Sequence, residues 1–327
     1  LPGSELVVGE NLRKPEIAVL LPCYNEAAAI ASVVEDFKDA LPDARIFVYD
    51  NASTDGTFDV ARKAGANVFV EPRKGKGNVV RRMFADIEAD IYILADGDGT
   101  YDATVAPEMV SHLVDDNLDM VVAARVDTGA HQGRDTYRPG HRMGNWLFTS
   151  TIAFLFGRQF TDILSGYRVF SRRFVKSIPI NAEGFEIETE MTVHSLTLKL
   201  PVGEISAPYG VRPEGSVSKL NSYRDGFRIL GTIIKLLKEA RPFAFFLSIS
   251  LVLAAASGIL SIPLFITFLE TGLVPRFPTA ILAVGIMVVG FICLACGLIL
   301  DTVSQNRRDL NGLRYLSLPS VRESLEN

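Results

Sequence analysis

Disulfide chemistry has little to work with in this chain: Cys23, Cys293 and Cys296 are the only cysteines among 327 residues. Three unevenly placed thiols exclude a disulfide framework, and a reducing compartment suits them at least as well as an oxidising one. An excess of positive charge is also missing. Lys and Arg total 33 against 38 Asp and Glu, for a formal net charge of -5, which argues against a protein built to coat nucleic acid. Low hydrophobicity, the mark of a disordered chain, is absent too. Apolar residues make up 48% and the mean hydropathy is +0.22, so the chain folds and carries an apolar excess that must sit somewhere. Its length fits one large or two modest domains.

The excess sits where charge is missing altogether. Neither Phe243–Leu269 nor Phe277–Leu300 contains a charged residue, and each run exceeds the roughly 20 helical residues that cross a hydrocarbon core of about 30 Å. Two transmembrane helices are expected; buried core helices, the alternative, rarely run so long without charge. The connection Glu270–Arg276 is short, so the pair forms a hairpin. Lys235, Lys238 and Arg241 precede the first span, Arg307, Arg308 and Arg314 follow the second, and Arg276 alone lies between them. The positive-inside rule then puts both termini and the N-terminal part in the cytoplasm, at a cytoplasmic or inner membrane. Pro263 is a candidate kink, and Gly258, Gly285, Gly290 and Gly297 permit close helix packing and self-association into a homo-oligomer. Cys293 and Cys296 read as small packing residues within the second span.

Residues 1–14 have no apolar core of a signal sequence and are expected to be a loose leader. From residue 15 to about 218 the chain alternates short β-rich runs with helical periodicity. Ile17–Leu21 reads as a strand, Glu26–Ala40 as a helix, Arg45–Tyr49 as a strand, the segment after the turn Asn51–Gly56 as a helix to Ala64, Val68–Val70 as a strand, Lys76–Ala89 as a helix, and Ile91–Ala95 and Met120–Ala124 as strands. Such alternation gives a mostly parallel α/β sheet with ligands at the carboxyl ends of its strands. Unusual polar residues lie at those ends: Tyr24, Asn25 and Glu26, then Asp50, then Asp96 and Asp98. Two carboxylates separated by glycine can hold a hard divalent cation while the glycine lets a phosphate approach. A lone D-x-D is also common in ordinary loops, and a lone Asp after a strand is more often a turn-former.

Taken together, Pro22-Cys23-Tyr24-Asn25-Glu26, Asp50-Asn51-Ala52-Ser53-Thr54-Asp55-Gly56-Thr57, Lys74-Gly75-Lys76-Gly77 and Asp96-Gly97-Asp98-Gly99-Thr100 resemble, in order and spacing, family 2 glycosyltransferases of the GT-A fold. Asp162–Phe170, Phe185–Glu188 and Gly215–Leu220 are similar to the polyprenyl-phosphate glycosyltransferases, the group of dolichyl-phosphate mannose synthases and bactoprenol glucosyltransferases. The resemblance implies that Pro22, Tyr24, Glu26, Asp50 and Lys76 surround a nucleotide, and that Asp96 and Asp98 contact the sugar nucleotide and its Mg or Mn ion. Some members carry a Gln two residues after the second Asp, where this chain has Thr100.

A lipid phosphate is already anionic at neutral pH, so as an acceptor it needs positioning by cations rather than a general base. Arg125, Arg138, Arg142 and Arg168 follow the D-x-D, and Arg212, Ser216 and Lys219 lie just before the membrane; Arg125, Arg142, Arg168, Ser216 and Lys219 are the residues expected at the acceptor phosphate, with Arg125 and Arg168 joining Asp96 and Asp98 as catalytic candidates. A solvated surface role explains any one of these cations equally well. Glu186 and Glu188 are candidates to hold the cations or sugar hydroxyls, or are simply a charged helix face. Residues 219–242 read as an amphipathic juxtamembrane helix and 301–327 as a cytoplasmic tail. The resemblance implies inverting transfer of a hexose from a UDP- or GDP-linked donor to polyprenyl phosphate, with a polysaccharide acceptor or a non-catalytic nucleotide-binding scaffold as the alternatives.

Overall fold

A computed structural model describes residues 13–126, 160–184, 186–210, 238 and 241–326. The chain divides into two compact units, Leu1–Phe227 with Asn311–Asn327, and Arg228–Leu310.

In the first unit the element order is β1 (Ile17–Cys23), α1 (Ile30–Ala40), β2 (Arg45–Asp50), α2 (Thr57–Lys63), β3 (Asn67–Val70), α3 (Lys76–Asp86), β4 (Ile91–Leu94), α4 (Ala106–Asp115), β5 (Met120–Val126), β6 (Arg168–Ser171), α5 (Arg172–Ser177), α6 (Ile187–Thr197) and β7 (Val202–Pro208). The sheet runs β3-β2-β1-β4-β6-β5-β7. All pairs are parallel except those of β6, which runs antiparallel to both β4 and β5. The expected mostly parallel α/β sheet is thus present. The short reversed strand β6 was not legible in the sequence because its four residues, Arg-Val-Phe-Ser, carry no periodic signal.

β1 is buried on both faces, as befits a central strand covered by helices on each side. One face meets Val33, Val34 and Phe37 of α1 and Met109, Val110 and Leu113 of α4. On the other, Phe84 of α3 packs edge-on against Phe170, with ring centroids 5.8 Å apart, and Phe170 stacks on Phe174 at 4.8 Å. α1 starts at Ile30 rather than at Glu26. The backbone of residues 25–27 is already committed elsewhere: the N–H groups of Asn25, Glu26 and Ala27 donate to Ser53 Oγ, Thr57 Oγ1 and Asp55 Oδ2.

Behind this second face, His194 of α6 sits edge-on to Phe174, and its Nε2 has no hydrogen-bond partner among the described residues. Burial lowers its pKa from 6.5 to about 4. The folded state therefore refuses a proton that the unfolded chain accepts, so stability declines as pH falls from 6.5 toward 4 and is flat below. The cost is roughly 3 kcal/mol. His194→Phe is expected to remove most of this acid-side decline, measured as the difference in Tm between pH 7 and pH 4.5.

The second unit holds all of α7 (Pro242–Thr271) and most of α8 (Phe277–Leu316). Both are long and apolar enough to cross a membrane, and Leu251, Ile259, Phe265, Ile281, Phe291 and Ile299 are all more than half exposed. Their mutual contact uses small residues. Ser257 Oγ donates to Ala283 O at 2.8 Å, a Cβ on Gly297 would lie 2.9 Å from Phe246 Cβ, and nothing lies within 4 Å of one on Gly258 or Gly285. Two of the four candidate packing glycines, Gly290 and Gly297, therefore serve the hairpin, and Gly258 and Gly285 do not.

The expected tail beyond residue 300 has structure of its own. α8 continues to Leu316, and α9 (Val321–Glu326) buries Val321 and Leu325 in the core cluster of the first unit. Spaced four apart, these two side chains share one helix face, enough to seat a short helix on the domain.

Candidate active site

The carboxyl ends of β2, β1 and β4 lie side by side. Cys23 is registered with Asp50, and Leu20 with Leu94, so the Tyr24–Glu26 turn, Asp50 and the Asp96–Asp98 loop share one rim. Asn51 organises the neighbouring loop. Its Nδ2 donates to Glu71 O at 2.9 Å and Arg73 O at 2.7 Å, and its Oδ1 accepts from Gly75 N at 2.7 Å. The Asp50 carboxylate accepts from Ser53 N, and the Lys74 ammonium stands 5.6 Å from the Tyr24 ring centroid.

Negative charge converges here. Burial pushes the Cys23 thiol up, and Glu26, Asp50, Asp96 and Asp98 push it further. Against these carboxylates stands Lys76, the first residue of α3, whose Nζ lies 2.5 Å from both Asp96 Oδ1 and Glu188 Oε1. Burial alone would depress this ammonium, but the two carboxylates outweigh it and hold Lys76 charged. Asp96 remains partly open, with a side chain 31% exposed. Asp98 is buried and accepts from Thr100 Oγ1 at 2.6 Å. Thr100 thus fixes the second Asp of the motif.

Gly75, Gly77 and Gly97 of the motifs face protein, whereas a Cβ on Gly56 would meet nothing within 4 Å. A Cβ on Gly97 would lie 2.3 Å from Cys23 Sγ, so this glycine lets β4 close on β1. Gly75 has φ 122°, and a Cβ on Gly77 would lie 2.2 Å from Ala182 O, with Gly77 N donating to Gly184 O at 3.1 Å. Backbone cannot move aside as a flexible side chain can. Gly77→Ala is expected to lower stability by about 2–3 kcal/mol, read as a fall in Tm accompanied by weakened donor binding.

Across the rim, Gly166 closes over the Lys76–Asp96 pair: a Cβ there would lie 3.0 Å from both Asp96 Oδ2 and Lys76 Nζ. Tyr101 OH accepts from Gly166 N at 2.9 Å. Arg125, near the end of β5, forms a two-pronged pair with Asp162, Nε to Oδ2 at 2.6 Å and Nη2 to Oδ1 at 2.9 Å, and lies 5.4 Å from the Tyr209 ring centroid.

Arg168 departs from its expected place at the acceptor phosphate. It is 0% exposed, and its guanidinium donates to Ser165 O, Ile163 O and Thr192 Oγ1 at 2.9, 2.6 and 2.9 Å. Desolvation lowers its pKa to about 10. With these protein acceptors engaged it serves as a brace, not as an open cation. Thr192 in turn donates to Glu188 O, so the brace steadies the first turn of α6, which carries Glu188. Of the other expected residues, Pro22, Tyr24, Glu26, Asp50, Lys76, Asp96, Asp98 and Arg125 lie at the carboxyl-end rim, while Arg138, Arg142, Arg212, Ser216 and Lys219 lie outside the described residues. Glu188, only 4% exposed, is the group that sequence reasoning left between two roles; nothing in the sequence pairs it with Lys76, 112 residues away.

The glycosyl transferase family 2 profile matches residues 18–178. Glycosyltransferase AglJ of Haloferax volcanii is 37% identical over 239 residues, covering 71% of this chain and 76% of that protein. The chain belongs to glycosyl transferase family 2. A second relative from Haloferax volcanii, a dolichyl-phosphate hexose transferase, is 29% identical over 227 residues, 69% of this chain and 96% of that protein. Protein RfbJ of Shigella flexneri is 59% identical over 126 residues, 38% of this chain and 95% of that protein. Among solved structures, glucosyl-3-phosphoglycerate synthase from Mycobacterium tuberculosis, in complex with Mn2+, UDP and glucosyl-3-phosphoglycerate, superposes with a TM-score of 0.55 at 23% identity, over 68% of this chain and 79% of that one. This likeness places the first unit of this family 2 member in the GT-A fold.

Proposed function

We propose that this glycosyltransferase moves a hexose, with inversion, from a UDP- or GDP-linked donor to a polyprenyl phosphate at the cytoplasmic face of a membrane. The observation that carries the reading is the rim itself: the Tyr24–Glu26 turn, Asp50 and the Asp96–Asp98 loop side by side at the carboxyl ends of β1, β2 and β4, with Lys76 bridging Asp96 and Glu188, where α/β folds bind nucleotides. The relative named as a dolichyl-phosphate hexose transferase and two helices of membrane-crossing length support the lipid acceptor.

Among the described residues no group of three or more His, Cys, Asp or Glu gathers to hold a metal. That donor set fits a divalent ion held by one or two carboxylates and by the donor's own phosphates, as Mg and similar ions are in phosphate chemistry. Asp96 and Asp98 are the residues that would hold Mg or Mn, and the ion when bound would neutralise charge on the departing diphosphate. The remaining work falls to the chain. Pro22, Tyr24, Glu26 and Asp50 enclose the nucleotide. Lys76 steadies Asp96 and offers its charge to the diphosphate, and Glu188 orients sugar hydroxyls. An acceptor phosphate oxygen attacks the anomeric carbon, the bond from that carbon to the diphosphate oxygen breaks, and nucleoside diphosphate leaves with the electron pair; no proton needs to be removed. Arg125, Arg142, Ser216 and Lys219 are proposed to position the acceptor, and Arg168 to position the Asp162–Arg168 loop and α6. The membrane hairpin would self-associate as a homo-oligomer, with both termini cytoplasmic.

Purified protein incubated with radiolabelled UDP- and GDP-sugars, polyprenyl phosphate and Mg or Mn is expected to yield a lipid-extractable product from one donor, abolished by a chelator. Folded protein that gives no product with any donor, or transfers sugar only to a polysaccharide, would overturn the reading.

A further inference from the structure

Within the first unit, the C-terminal segment packs on the α/β sheet domain at a site remote from the catalytic rim. Tyr315 OH donates to Asp119 Oδ2 at 2.6 Å. Asp119, fully buried, also accepts from Ser171 Oγ at 2.7 Å and from Arg173 Nε and Nη2 at 3.1 and 3.0 Å, while the Arg173 guanidinium lies 4.2 Å from the Tyr315 ring centroid. Arg322 donates to Val114 O at 3.0 Å and to Asp115 O, supplying a cation and further donors to the carbonyls at the C-terminal end of α4. Val321 and Leu325 enter the core. Arg13 completes the attachment: it pairs with Asp90 through both terminal nitrogens at 2.7 and 2.8 Å and donates to Ser324 O, and its backbone N–H donates to Leu325 O.

Three of the anchors lie at the amino-terminal ends of parallel strands: Arg13 precedes β1, Asp90 precedes β4 and Asp119 precedes β5. The donor rim is formed by the opposite ends of those strands. A segment seated there holds the domain without covering the rim, through one buried ionic network, one helix cap and two apolar side chains. That combination is a peptide-docking surface whose occupant is the chain's own C-terminal stretch.

We propose that residues 311–326 act as a latch, a second and non-covalent attachment of the catalytic unit to the membrane hairpin, alongside the covalent connection between β7 and α7. The proposal rests on reading α7 and α8 as membrane-spanning, not on the identity of donor or acceptor. The latch keeps the catalytic unit at the membrane when that connection is cut.

A specific protease site inserted between Gly210 and Val211, in protein reconstituted into phosphatidylethanolamine–phosphatidylglycerol vesicles, tests this by flotation on a density gradient. Uncut protein must float; if it does not, the membrane reading itself fails. After cutting, the N-terminal fragment is expected to float with the vesicles. Tyr315→Phe combined with Arg322→Ala is expected to lower the floated fraction on the order of tenfold. A synthetic peptide of residues 311–326 in excess is expected to release the fragment from unaltered protein, an arm that no folding defect of a variant can imitate. A cut fragment that stays at the bottom of the gradient, or one that floats equally well in the double variant and in the presence of peptide, overturns the proposal.

Discussion

Replacing Asp98 by Asn is expected to lower sugar transfer on the order of 10³-fold, with little change in Tm. The side chain is buried and accepts from Thr100 N and Oγ1, and an amide of the same shape keeps one oxygen for those donors. What it loses is the negative charge. A divalent ion gains most of its binding energy from anionic oxygens, so the variant should also need a much higher concentration of Mn or Mg for half-maximal residual rate. Transfer at the unaltered rate with unaltered metal demand would remove Asp98 from the mechanism. Asp96→Asn should behave differently, because Lys76 contacts Asp96 directly: removing that charge leaves the ammonium with Glu188 alone and disturbs the position of both.

Arg168→Lys is expected to be the most damaging conservative change in the catalytic unit, costing about 3–5 kcal/mol of stability. Three separate acceptors around a guanidinium cannot be matched by one ammonium of different reach, and the carbonyls of Ser165 and Ile163 would be left buried without a donor. Thermal unfolding should fall by several degrees. Kinetics on the protein that remains folded separates a brace from a phosphate ligand. A brace that steadies α6 and the Asp162–Arg168 loop lowers kcat and leaves the acceptor KM close to its original value, whereas direct contact with the acceptor phosphate would raise acceptor KM at near-normal stability. The second pattern would restore the role first expected for this residue.

The contrast between these two residues shows what the sequence could reveal. Asp98 was legible because its chemistry is local: two carboxylates flanking one glycine at the end of an apolar run. The strands β1, β2 and β4 were legible for the same reason, each being a compact apolar run that ends in a polar residue. Arg168 was visible as a cation but not as a buried one, since its burial depends on Ile163, Ser165 and Thr192 converging through a reversed strand and a distant helix. Glu188 met the same obstacle, its partner Lys76 lying on α3. Gly97 suggested close approach, and sequence alone supplied a phosphate as the approaching group; the structure supplies Cys23 Sγ there, and Ala182 O at Gly77. The C-terminal latch was hidden because Val321 and Leu325 are only two apolar residues in a polar stretch. A short amphipathic face becomes visible only when the surface that receives it is known.

The reversal of β6 has a consequence for where this fold can accept change. β5 leaves the sheet at the catalytic rim after Val126, and β6 re-enters it at the same rim, Arg168 being registered with Leu94 and Val122. The end of β5 and the start of β6, Val126 and Arg168, therefore lie at one rim of the scaffold. Residues 160–167 are tied to the scaffold, through Asp162 on Arg125, Gly166 N on Tyr101 and the Ile163 and Ser165 carbonyls on Arg168, so they cannot be exchanged without disturbing it. The turns after β1 and β2 are locked in the same way, to one another through Asp55 and Thr57 and to the 71–75 loop through Asn51. Change is therefore better tolerated between Val126 and Phe160 than at either of these two locked sets of turns.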